Sequence, residues 1–71
     1  MGDSNTQKEV AMSVAKDINA RFDILPKVTE DGEILIDSVD MFWQVRMILV
    51  ECGFHEVGQS HEFCVFSQVA Q

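Results

Sequence analysis

The stretch 37–53, DSVDMFWQVRMILVECG, carries more apolar side chains than one helix face can hold, and the rest of the chain has to be arranged around that excess. Met41, Phe42, Val45, Ile48, Leu49 and Cys52 recur at steps of three and four. That spacing lines one face of an amphipathic helix. Asp37 or Ser38 can accept hydrogen bonds from the unpaired N–H groups of a first turn. Asp37 and Asp40 place negative charge at the positive end of the helix dipole. Gly53 suits a left-handed stop after the last periodic residue. Asp40, Gln44 and Glu51 share the polar side. A second apolar stripe of Val39, Trp43, Met47 and Val50 runs beside the first, with only Arg46 between them on one flank. A helix apolar nearly all round is normally covered on more than one side. Either loops or the first helix cover Trp43, or a second molecule does. A chain this short buries only about 60% of its unfolded surface. The second reading is therefore the expectation, with Val39, Trp43, Met47 and Val50 at an interface.

The remainder of the chain reads as a helix and two hairpins. Residues 1–5 are expected to be loose, with a single domain over 6–71. Thr6 followed by Glu9 is a capping-box pattern. From there Val10, Ala11, Val14, Ala15, Ile18 and Phe22 make the apolar face of a helix ending near Arg21, with Ser13, Lys16 and Asn19 toward water. Residues 22–28 and 33–37 read as strands joined by Thr29-Glu30-Asp31-Gly32, because Asp-Gly between apolar runs supplies a hairpin turn tolerant of positive φ. Pro26 cannot donate to a ladder, which puts the first of these strands at a sheet edge or bulge. Residues 54–58 and 62–69 read as a second pair around Gly58-Gln59-Ser60-His61. The order αββαββ predicts an α+β fold: a four-stranded antiparallel sheet with both helices on one face. Alternation then assigns Leu25, Leu35, Cys64 and Phe66 to the outer sheet face, where Leu35 and Phe66 become further interface candidates. A two-fold dimer, in which one patch covers itself, is the expected assembly.

Charge narrows the partners. Twelve acidic against five basic residues give a formal charge of −7. Direct binding to nucleic acid or to an anionic membrane needs clustered Lys and Arg, which are missing here. Glu30, Asp31, Glu33, Asp37 and Asp40 gather around the first hairpin and the start of the central helix. Their spacing does not match a calcium loop. They form an acidic patch suited to solubility or to a basic protein surface. The apolar content of 46% is that of a folded domain. The first ten residues have neither a basic flank nor an apolar core, so a secretion signal is not expected. No stretch is long enough to span a membrane. Two cysteines without such a signal read as reduced cytoplasmic thiols.

Chemistry is thinly represented. Cys52-x-x-His55 and His61-x-x-Cys64 offer a Cys2His2 set with the right atoms for tetrahedral zinc, though the connecting loop is far shorter than in zinc fingers. Cys64 with His61 and Glu62 is the alternative of a small cysteine-dependent enzyme, but neighbours on a strand diverge. No catalytic residue and no cofactor is assigned. In size and charge the chain resembles the small acidic proteins of phages and mobile elements, some of which inhibit bacterial defence systems; no residue motif carries that likeness. The reading is a small, acidic, non-enzymatic interaction module that pairs with itself.

Overall fold

The computed structural model describes residues 4–68. The elements are α1 (Ser4–Phe22), β1 (Lys27–Val28), β2 (Ile34–Asp37), a 3-10 turn (Ser38–Asp40), α2 (Trp43–Glu51), β3 (Phe54–Ser60) and β4 (Phe63–Gln68). They form the expected α+β arrangement. The sheet is antiparallel in the order β1-β2-β4-β3.

α1 starts earlier than the capping-box pattern implied. Ser4 and Asn5 are already helical, so Thr6 is an interior residue and not a cap. Met1–Asp3 lie outside the described residues. Ala11, Val14, Ala15 and Ile18 are buried, as their spacing requires. The helix ends where Asp23 takes a positive φ of 58 and its N–H donates to Asn19 O at 2.9 Å. Asn19 is not a water-facing residue. Its Nδ2 donates to Ile24 O at 2.7 Å and ties the departing chain to the helix.

The first strand is far shorter than expected. Pro26 has no N–H for a ladder and restricts Leu25 before it. Only Lys27 and Val28 pair, with Leu35 and Ile34. The Asp-Gly turn forms as read. Thr29 N–H donates to Glu33 O at 2.9 Å, Gly32 N–H to Thr29 O at 3.1 Å, and Gly32 has a φ of +84. The second hairpin turns later than expected. Gln59 and Ser60 belong to β3, and His61-Glu62 make the turn, with His61 at a φ of 56.

The central segment is not one helix. Asp37 Oδ1 accepts from Val39 N–H at 3.1 Å, but what it caps is the short 3-10 turn. Ser38 N–H donates to Glu62 O at 2.8 Å, which holds this turn on the tip of the second hairpin. Met41 and Phe42 then run extended and lift the chain from the sheet to the helix layer. α2 therefore begins at Trp43, without a side-chain cap. At its other end Cys52 N–H reaches Ile48 O at 3.0 Å, and Gly53 adopts the expected left-handed conformation at φ +90.

One core joins the layers. Val14 and Ile18 of α1, and Val45 and Leu49 of α2, pack on Ile34, Ile36, Phe54, Cys64 and Phe66 of the sheet. α1 packs mainly on β1 and α2 on β3, so the helices cover opposite edges of the same face. The register corrects the facing of β4. Ile34 is opposite Phe66 and Ile36 opposite Cys64. Directly paired residues share a face, so Phe66 and Cys64 are core residues and not outer-face residues. Leu35, Phe63 and Val65 take the outer face, half-buried among one another.

Candidate interaction surface

Helical geometry carries the Trp43 stripe away from the core. Val45 and Leu49 are fully buried. At 100° per residue, Trp43, Met47 and Val50 fall on the opposite side of α2. Their exposures are 68%, 49% and 58%, and Val39 in the preceding turn is 78% exposed. Phe42, expected in the core, joins them at 47% because the extended backbone before α2 swings it outward. Asp40 and Glu51 stand at the two ends of this patch. Among the described residues none buries the stripe.

On the flank toward β3, Arg46 donates to Glu56 Oε1 at 2.8 Å, and its guanidinium lies 5.6 Å from the centre of the Phe66 ring. Glu56 is opposite Phe66 on the sheet. A single arginine thus pairs with the carboxylate in that row and lies over an aromatic ring, a contact in which its planar cation serves both roles. The pair is partly exposed, so it adds little stability.

The other interface candidates divide. Leu35 lies on the outer sheet face in a row with Lys27 and Val65. Phe66 is fully buried and leaves the candidate set. Lys27 reaches over the Phe63 ring at 5.2 Å on that outer face. Leu25 is not on the sheet at all. It is 82% exposed in the loop before Pro26.

The acidic patch also divides. Glu30 and Asp31 occupy the first hairpin turn and Glu33 follows it, whereas Asp37 is the last residue of β2 and Asp40 ends the 3-10 turn after it. A four-residue strand separates the two groups by on the order of 13 Å. Only the Asp37–Asp40 group adjoins the stripe.

The Cys2His2 set does not assemble. His55 lies near the start of β3 and His61 just beyond its end, on the order of 20 Å along the strand. Cys52 is exposed at the end of α2, while Cys64 is buried, opposite Gln59, whose Nε2 approaches its sulfur at 3.9 Å. Among the described residues no three His, Cys, Asp or Glu side chains converge on a metal position. The same placement separates His61, exposed at a turn, from the Cys64 thiol.

A second surface escaped the sequence reading. An open groove of about 730 Å³ runs between α1 and the segment before β1. Met12, Leu25 and Pro26 give it apolar walls, and Lys8, Glu9 and Lys16 stand at its rim. Met12 looked like an isolated exposed residue, and Leu25 like part of a strand. Their proximity depends on how the chain leaves α1, which the Asn19–Ile24 bond sets and no local pattern signals. Among the described residues no helix is long and apolar enough to cross a membrane. Compared with protein-family models, curated proteins and solved structures, the chain matches none.

Proposed function

We propose that this chain is a small, acidic, non-enzymatic interaction module that associates with itself through the outward face of α2 in the cytoplasm. The observation that carries the reading is the exposure of Trp43, Met47 and Val50 together on one side of α2, with Val39 and Phe42 also exposed in the segment leading into it. Scattered apolar residues need no explanation, but a contiguous patch next to charged residues marks a contact surface. The aromatic anchor Trp43 is the side chain that most often dominates such contacts. The charge of −7 keeps the free chain soluble while the patch is open. It also weighs against nucleic acid as the partner. Asp37 and Asp40 at one end, and Glu51 at the other, suit a basic protein surface as a second occupant, the role of an inhibitor or accessory protein.

Sedimentation velocity across micromolar concentrations tests the self-association. The wild-type mass average rises with concentration, and Trp43→Ser keeps the far-ultraviolet circular dichroism of the parent while sedimenting as a single chain. A wild-type protein that stays monomeric at several hundred micromolar would remove the self-association.

A further inference from the structure

The self-association just proposed leaves open what the α2 face meets on the second copy, and the cations of the chain point to an answer. Arg21 is engaged by Asp17 at 3.2 Å, Arg46 by Glu56, and Lys27 by the Phe63 ring. The remaining two basic residues, Lys8 and Lys16, both line the groove beside α1. Neither has an ion-pair partner among the described residues. They are eight positions apart on α1, about 12 Å along the axis. Between them lie the apolar walls of Met12 and Leu25. The exposed face of α2 is the complement in kind: Trp43 and Met47 in the middle, Asp40 before them and Glu51 after. A groove of about 730 Å³ is within the range that receives a large side chain or ligand.

Two like faces of α2 brought together around a two-fold axis would instead set Asp40 and Glu51 of both copies against one another. Arg46, the nearest cation, is already held by Glu56. The two surfaces also point apart: α1 covers β1 and α2 covers β3 at opposite edges of the sheet, the groove opens on the side of α1 toward the segment before β1, and Trp43, Met47 and Val50 face away from the core. A chain cannot place its own α2 face in its own groove. Resting on the self-association reading, we infer that the acid-ended apolar face of α2 in one copy seats in the lysine-rimmed groove of the next. The contact is heterologous, joining chains head to tail. Glu9 is the acidic residue of the groove lining, against two lysines.

A mixing experiment tests this. Trp43→Ser removes the inserted face and keeps the groove. Lys8→Glu combined with Lys16→Glu, or Leu25→Ser with charge unchanged, removes the groove and keeps the face. Each variant alone sediments as a monomer, its association weakened by roughly a hundredfold or more for the charge reversal. Mixed in equal amounts, Trp43→Ser with either groove variant gives a complex of two chains and nothing larger, because one working face meets one working groove. Groove variants that associate like the wild type would overturn the inference and leave the α2 face as the contact. Monomeric variants that fail to combine on mixing would also overturn it, because a working face would then have met a working groove without binding. A monomeric wild type would end both readings together. Circular dichroism of each variant confirms folding before the comparison.

Discussion

Gly32 and Gly53 both sit at positive φ, +84 and +90, yet they are not equally replaceable. A Cβ at Gly53 would meet nothing within 4 Å, so Gly53→Ala costs only the conformational strain, about 1–2 kcal/mol. A Cβ at Gly32 would stand 3.0 Å from the backbone carbonyl carbon of Gln7, which cannot rotate away. Gly32→Ala should therefore exceed Gly53→Ala by at least about 1 kcal/mol in urea unfolding followed by circular dichroism. Equal losses would show that the first hairpin moves off α1 at little cost. Both glycines were legible as turn or stop residues, because their role is local. The contact of Gly32 with α1 was not, since it joins residues 25 positions apart. Asn19 illustrates the same limit: a polar residue on a helix flank reads as solvated, and only the folded chain supplies the carbonyl of Ile24.

Elements were legible where their periodicity was one-sided. The alternation of Ile34 and Ile36 with Leu35 and Asp37 has a single apolar-rich face, and that face is buried. β4 reads Phe63, Cys64, Val65, Phe66, apolar in both directions, so its facing is decided by pairing with Ile34 and Ile36. The central segment failed as one helix for a similar reason. Its three-and-four spacing continues through Met41 and Phe42, but Ser38 is bonded to Glu62 on the hairpin tip, and a continuous helix could not keep that bond and reach the core. The corrected facings make a sharp contrast between two aromatic residues. Phe66 is fully buried, and Phe66→Ala should cost about 3–5 kcal/mol. A chain of this size has on the order of 4–10 kcal/mol in total, so that variant loses from about a third to all of its stability. Trp43, 68% exposed, should change the stability of the isolated chain by less than about 0.5 kcal/mol on replacement by Ser. Urea curves at sub-micromolar concentration, where association is absent, check the pair. A large loss at Trp43 under dilution would make it a fold residue, and the contact reading would lose its anchor.

For the molecule as a whole, the mode of assembly is coupled to stability by mass action. Association that uses only the folded chain draws the folding equilibrium toward the native state as concentration rises. In a two-chain assembly well above its dissociation constant, the free folded monomer grows as the square root of total protein. Each tenfold rise in concentration then adds about 0.7 kcal/mol per chain. In an open head-to-tail assembly the free monomer levels off near the dissociation constant, so each tenfold rise adds about 1.4 kcal/mol. At roughly 4–8 °C per kcal/mol for a domain of this size, the melting temperature climbs about 3–6 °C per decade for a pair and about 6–11 °C for a chain of copies. The head-to-tail arrangement predicts the steeper slope for the wild type. It also predicts a flat one for Trp43→Ser and for Leu25→Ser, each of which lacks one half of the contact. An equimolar mixture of those two variants forms pairs only, and its slope should fall to the lower range. A wild-type slope already in that lower range would mean that assembly stops at two chains, which a heterologous contact between opposite edges of the subunit does not do.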